Sequence, residues 1–315
     1  MSAPDEAAHG EPLLIPVRAP FDLTLTVSAL RRLPHSTLYP LVGEEWRFVA
    51  ELPSGCRLLA VRPLVAGDVE SPLACVALDG TLSGADAAAV SALVARMLDV
   101  QRDLTPLHAL VADDATLATL AQRLVGMKPP RFASLWEAFC QIVPFQQVSL
   151  GAAIATLNRF VVALGPECVA GGRHYWGAPT PQRVLAAPVD VLRGCGLSAA
   201  KAQTLRGLAE QALVGELEVA DFEALPDDAA IARLTRLPGI GRWSAQVALL
   251  RGLGRLTVFP AGVSGAARGL RELFPHHEQP DAAALALLER LGPWRGYLYF
   301  MLLGRRLLVA QSDAP

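Results

Sequence analysis

The sequence predicts an α+β fold: a small N-terminal antiparallel β-sheet with helices, followed by an all-helical core. Three observations predict it. Short apolar runs broken by turn residues fill the first hundred positions, and apolar residues at helical spacing fill the rest. Hydrophobic residues make up 52% of the chain and charged residues 18%, enough to pack a core and too apolar for disorder. At 315 residues the chain is two domains' worth at roughly 150 residues each, with a predicted boundary near residue 112 that divides it into 1–112 and 113–315.

The predicted strands are residues 22–27, 46–52, 56–64 and 73–78. Pro53-Ser54-Gly55, Gly67-Asp68 and Asp79-Gly80 supply the turn chemistry between them. Ser83 then opens a helix whose Val90, Leu93, Val94 and Met97 share one face. From about 114 onward the pattern reads as helices at 115–125, 132–142, 146–164, 181–192, 199–213, 227–236, 243–252, 264–273, 281–291 and 294–309. Pro, Gly or N-cap residues join them.

Charge and cysteine usage narrow the function. Twenty-eight basic and thirty acidic residues exclude a uniformly basic coat, but leave room for a local basic face. Lys128 and Lys201 are the only lysines, so positive charge is carried by arginine, which grips phosphate in a bidentate fork. Five cysteines, none in a CxxC pair, argue against a zinc site, an iron–sulfur cluster or a disulfide framework. Residues 138–158 are uncharged, yet Gln141, Pro144, Gln146, Gln147, Ser149 and Asn158 suit hydrocarbon poorly, and the first sixteen residues do not read as a signal peptide. A soluble, cytoplasmic protein is expected. His276-His277-Glu278 reads as a solvated loop between Pro275 and Pro280 rather than a ligand set. With no Walker or Rossmann phosphate loop, no nucleotide cofactor is expected.

Residues 229–271 carry seven arginines (Arg233, Arg236, Arg242, Arg251, Arg255, Arg268 and Arg271) and no acid. Charge alone leaves two readings open, a solvated face paired with carboxylates from elsewhere or a phosphate-binding face. Within this stretch stands Leu237-Pro238-Gly239-Ile240-Gly241-Arg242-Trp243-Ser244, between two helical patterns. Two glycines around one apolar residue permit a tight helix–hairpin–helix turn, with Ile240 tucked inward. The amides that open the next helix then face outward to bind a phosphate, with Arg242 adding charge and Ser244 a hydroxyl. Such a contact holds the backbone and reads no base sequence.

At these residues the chain resembles the helix–hairpin–helix (HhH-GPD) superfamily of base-excision DNA glycosylases, in its alkylated-base (3-methyladenine type II) branch. The resemblance runs through Leu98-Asp99-Val100-Gln101, Gln146-Gln147-Val148-Ser149, Pro179-Thr180-Pro181-Gln182-Arg183, Leu192-Arg193-Gly194-Cys195-Gly196-Leu197, the hairpin, Val258-Phe259-Pro260-Ala261-Gly262 and Gly292-Pro293-Trp294-Arg295. It implies damaged double-stranded DNA as partner, a monomer, no cofactor, and a monovalent cation held by the backbone carbonyls of Thr235, Leu237 and Ile240. Gln147 resembles the wedge that fills the gap left by a flipped nucleotide. Trp243 stands where relatives with lyase activity carry lysine, which implies monofunctional hydrolysis, and its indole face would attract a cationic alkylated base.

The chain departs from the family at the carboxylate. The family's catalytic aspartate position reads Val263, and no acid lies anywhere in 229–271 to replace it, so no catalytic residue is assigned. Two family pocket aromatics read Val247 and Ser264, and a third reads Leu303. The predicted base pocket is therefore Trp243, Val247, Val263 and Ser264. Glu137, Glu272 and Glu289 are the acids to which the role could have passed, without support from the sequence. Two expectations follow: a monofunctional alkyl-base glycosylase with impaired turnover, and a catalytically silent binder of DNA lesions.

Overall fold

A computed structural model describes residues 11–31, 35–260, 265–274 and 277–312. Val263, Ser264 and His276 lie outside these residues. Five strands, β1 (Leu13–Ile15), β2 (Leu41–Val42), β3 (Glu45–Leu52), β4 (Gly55–Pro63) and β5 (Leu73–Ala77), form an antiparallel sheet in the order β1-β5-β4-β3-β2. Trp46 pairs with Val61, and Val61 with Cys75, so these residues and Phe48, Leu59 and Leu73 share the buried face. Trp46 stacks on Phe48 with ring centroids 4.1 Å apart.

The predicted strand at 22–27 is a helix instead, α1 (Leu23–Arg31). The Asp22 carboxylate accepts the Leu25 amide at 2.7 Å, an N-terminal cap, and Leu23, Val27 and Leu30 fall on one buried face. The run satisfies both periods, and the cap decides for the helix. The edges of the sheet come from β1 and β2, too short to show a period in the sequence.

Helix α2 (Gly84–Leu98) covers the sheet. Its capping box is complete: Ser83 Oγ accepts the Asp86 amide, and the Asp86 carboxylate accepts the Ser83 amide. Asp86 also accepts the Ser54 amide in the β3–β4 turn, and these bonds hold its carboxyl down at about 2. There follow α3 (Thr105–Val111), α4 (Ala115–Arg123), α5 (Leu135–Ile142) and α6 (Leu150–Leu164). Caps at Asp114, Ser134 and Ser149 start the last three; Ser149 delays the helix predicted from 146 until Leu150.

A second correction falls at β6 (Glu167–Ala170) and β7 (Arg173–Trp176), an antiparallel hairpin in a region predicted to be wholly helical. Gly171 and Gly172, at φ 55° and 71°, make the two-residue turn that matches strand twist. The helix predicted at 181–192 is split by Pro188 into α7 (Pro181–Ala186) and α8 (Val189–Gly194). Then come α9 (Ala199–Leu213), α10 (Ala220–Glu223), α11 (Asp227–Leu234), α12 (Arg242–Arg251), α13 (Gly265–Arg271), α14 (Pro280–Leu291) and α15 (Tyr297–Ser312).

The main core is continuous across residue 112: Ile15, Trp46 and Met97 belong to the same buried cluster as Phe132, Phe139, Ala245 and Val258. A second cluster joins α1, α3 and α4 to α14 and α15. Polar bonds cross the same boundary. Arg96 donates to the carbonyls of Phe132, Ala133 and Gly252 at 2.6–2.7 Å, and the buried Arg251 donates to Leu30 O at 2.9 Å. No described helix is long and apolar enough to cross a membrane.

Candidate nucleic-acid interface

Helix α11 ends at Leu234, and the chain turns through Thr235–Gly241 into α12. The turn closes on itself: the Leu237 amide donates to Leu234 O and the Ile240 amide to Leu237 O, each at 3.1 Å. Ile240 is buried in the main core and pins the turn from inside. Gly239 has φ 81°, and a Cβ there would come within 2.0 Å of Thr204 Oγ1 on α9. Only glycine meets both demands. Gly241 differs. It has extended backbone, faces open space, and is the N-cap of α12 with no side chain capping the helix. The first turn of α12 thus has no side-chain partner for its amides, the arrangement in which a helix start binds an anion.

The structure sorts the arginine-rich stretch. Arg233 pairs with Glu216 and Asp221, Arg255 with Asp227, and Arg271 with Asp281. Arg251 is buried over the Phe132 and Phe300 rings. Arg236 and Arg268 are exposed, as is Arg242, whose contact with the exposed Asp228 is 3.7 Å. The paired arginines follow the first of the two sequence readings, and the exposed Arg236 and Arg242 flank the hairpin.

Ser244 is not placed as an exposed hydroxyl. It is buried, and its Oγ accepts from Gln146 Nε2 at 3.0 Å, while the same Nε2 donates to Gly239 O at 2.9 Å. Gln147 is exposed and left-handed, with φ 53°. A non-glycine residue held there costs about 1–3 kcal/mol, the kind of strain that collects at functional sites. Trp243 is half-buried against the main core; Val247, one turn on, is buried within it; Leu303 packs against the second cluster. Leu237 O, already accepting one amide, has a second lone pair. With the carbonyls of Thr235 and Ile240 it offers a set of hard oxygens, a chemistry that fits a monovalent cation.

The three acids considered as replacements differ in setting. Glu272 and Glu289 are exposed. Glu137 is buried beside a cavity of about 190 Å³ lined also by Tyr39, Phe48, Trp136 and Pro179. Its Oε1 accepts from Tyr39 Oη and, at 2.9 Å, from Gln141 Nε2, and burial pushes its carboxyl up. The charge of Arg96 acts on it, and Arg96 binds Gly252 beyond the C-terminus of α12. Trp243 stands at the other end of that helix, about 13 Å from Gly252 along the axis at 1.5 Å per residue. His277, the described histidine of the His276-His277 pair, accepts the Gln279 amide at 3.1 Å and lies edge-on to Phe274. No group of three metal-ligating side chains occurs among the described residues.

A two-helix hairpin with an open helix start, on an α+β scaffold of this order, has known counterparts. The sequence model of the HhH-GPD superfamily of base excision DNA repair proteins matches residues 140–293. Over that stretch, just under half of its length, the chain has the pattern of this superfamily. Relatives that it matches are named for 3-methyladenine. A DNA-3-methyladenine glycosylase of Bacillus subtilis is 27% identical over 62% of this chain and 64% of its own length. The DNA-3-methyladenine glycosylase 2 of Escherichia coli is 31% identical over 58% of this chain and 62% of its own. The chain thus spans less than two thirds of these relatives. Among solved structures, the 3-methyladenine DNA glycosylase of Archaeoglobus fulgidus superposes with a TM-score of 0.79 at 25% identity, over 93% of this chain and 98% of that one. The Schizosaccharomyces pombe 3-methyladenine DNA glycosylase, solved in complex with abasic DNA, gives 0.52 at 26% identity over 63% of this chain and 95% of its own.

Proposed function

We propose that this HhH-GPD protein is a monofunctional DNA glycosylase of the base-excision pathway. It binds damaged double-stranded DNA, flips an alkylated purine out of the stack and hydrolyses its N-glycosidic bond. The observation that carries this reading is the uncapped start of α12 at Gly241, flanked by Arg242 and set on a hairpin that only glycine at 239 permits. The amides of that turn hold a DNA phosphate, positioning the protein without reading bases. Gln147, exposed on its strained loop, fills the gap left by the flipped nucleotide.

Trp243 gives the base pocket its indole and leaves no amine there for imine formation, so release proceeds by hydrolysis alone. An N-alkylated purine already carries positive charge. It leaves readily and gains cation–π attraction of about 0.5–2 kcal/mol from the indole face. The carbonyls of Thr235, Leu237 and Ile240 would hold a monovalent cation that braces the turn; the chemistry of base release does not pass through it. The protein works as a monomer in the cytoplasm, on DNA, without an organic cofactor.

One observation favours a second reading: valine stands at position 263, where the family carries its catalytic aspartate. A carboxylate there stabilises the oxocarbenium-like charge that develops on the sugar, and valine does not. In this reading the chain binds lesions and leaves the bond intact. Single-turnover base release from N-methylated DNA, by the protein and by Val263→Asp, separates the two. Comparable release by both supports the glycosylase driven by the lability of the cationic base. Release by the aspartate variant alone assigns the native chain to silent lesion binding. If neither binds methylated duplex with salt-dependent affinity, both readings fail.

A further inference from the structure

Beyond the groups just assigned, one side chain joins the strained loop to the phosphate-binding turn. Gln146 follows the short 3₁₀ turn at Val143–Phe145, and after Gln147 the chain enters the Ser149 cap of α6. An amide NH₂ has two hydrogens. Gln146 directs its nitrogen at two acceptors of the hairpin, the Gly239 carbonyl at 2.9 Å and Ser244 Oγ at 3.0 Å. One acceptor lies in the turn and the other in the first turn of α12, so the bond pair ties the loop to the hairpin on both sides of Gly241. Helix α9 supports both partners from below. Lys201 Nζ donates to Pro144 O at 3.0 Å, and Thr204, one turn further, lies against Gly239.

We propose that Gln146 is a positioning residue that couples the two halves of the DNA grip, so that a phosphate held by the hairpin fixes where Gln147 is presented to the base stack. This rests on the DNA-binding reading above and goes beyond it by assigning the mechanical link. Gln147 is adjacent to Gln146, and its left-handed backbone needs both neighbours fixed, by Gln146 on one side and by the Ser149 cap on the other. Without the two bonds, the hairpin still offers its amides, but the loop no longer has a defined position relative to them. The coupling is therefore specific to wedge insertion, and leaves phosphate binding in place.

The test uses Gln146→Met, which keeps length and neutrality and removes both donors, in the full chain. A duplex with 2-aminopurine beside a tetrahydrofuran abasic site reports unstacking by fluorescence. Anisotropy titrations across a salt series report phosphate contacts by their slope. The expected result is a native-like slope for Gln146→Met with loss of most of the fluorescence rise at saturation. Ser244→Ala gives a partial loss, and the double variant no more than Gln146→Met alone, the non-additivity of one shared interaction.

A full fluorescence rise in Gln146→Met overturns the proposal. So does a fall in salt slope and melting temperature together, because Gln146 would then merely hold the hairpin's shape. Native protein that binds with a normal slope but gives no fluorescence rise removes the wedge and this inference, while leaving DNA binding intact. Native protein that shows no salt-dependent binding removes the DNA-binding reading itself.

Discussion

Gln147 pays for its exposure in backbone strain, which makes its role separable from folding. Gln147→Gly removes the side chain and places the one residue that adopts φ 53° freely. Melting temperature should hold, while single-turnover base release, or in a silent binder the 2-aminopurine rise, should fall. A tenfold fall corresponds to ~1.4 kcal/mol of barrier. A variant that melts normally and keeps full activity would show the wedge is elsewhere. Glu137 poses the opposite case, a buried acid with no part in the grip. Burial raises its folded pKa above the ordinary Glu value of 4.5, so the native state holds this proton more tightly than the unfolded chain does. The stability it contributes is complete below that ordinary value and is lost as pH rises through the raised one. Glu137→Gln cannot ionise, and its melting temperature relative to the native protein should therefore climb between pH 4 and pH 8. A difference that stays flat over that range would show that Tyr39 and Gln141 offset the burial fully. Single positions were unequally legible: Val263 stands out in the sequence because a charge is missing, whereas Ser244 reads as a phosphate ligand until its buried bond to Gln146 is seen.

The two glycines of the hairpin look alike in the sequence and act differently in the element. Gly239 is required by backbone and by space, since φ 81° disfavours any side chain and Thr204 Oγ1 occupies the Cβ position at 2.0 Å. Gly239→Ala should destabilise the fold by more than the roughly 1–2 kcal/mol of the left-handed conformation alone. Thr204→Ala in the same chain should recover the steric part and not the conformational part. Gly241 has open space around it, so Gly241→Leu should keep most of the stability and lose DNA affinity, by covering the amides at the start of α12. Equal melting losses for the two substitutions, read by calorimetry, would contradict this division. Elements with a cap or a long amphipathic run were legible: α9 spans 199–213 as its Ser198 cap and periodicity indicate. The run at 22–27 misled because Leu, Thr and Val fit a strand equally well, and only the Asp22 cap and the packing partner select α1. The β6–β7 hairpin was missed because its strands are four residues each, although Gly171-Gly172 was its turn signature.

At the scale of the whole molecule, the change from sheet to helices near residue 112 is a change of pattern and not of packing. Phe132, Leu135 and Phe139 are buried in the same cluster as Ile15, Phe48 and Val94. The backbone bonds follow: the Arg131 amide donates to Met97 O at 2.7 Å, and the Asp22 amide to Gly126 O at 2.8 Å. Periodicity shows which face of an element is apolar, but not which partner covers it, so this continuity was invisible in the sequence. It also bears on the DNA grip. Helix α5 packs against α12, and its Glu137 accepts from Tyr39 Oη, so the platform beneath the hairpin is tied to residues of the first hundred. The expected consequence is that residues 113–315 expressed alone leave Phe132, Leu135 and Trp136 uncovered and lose the donors that Arg96 supplies to Phe132, Ala133 and Gly252. Burying side chains of this size contributes about 1.5–3 kcal/mol each, and with the orphaned carbonyls added the loss is comparable with the total stability margin of about 5–15 kcal/mol. The fragment should show no cooperative thermal transition by near-ultraviolet circular dichroism, while the full chain melts in one step. A sharp transition in the fragment would support residue 112 as a domain boundary, and would make the sheet an appendage rather than part of the frame that holds the grip.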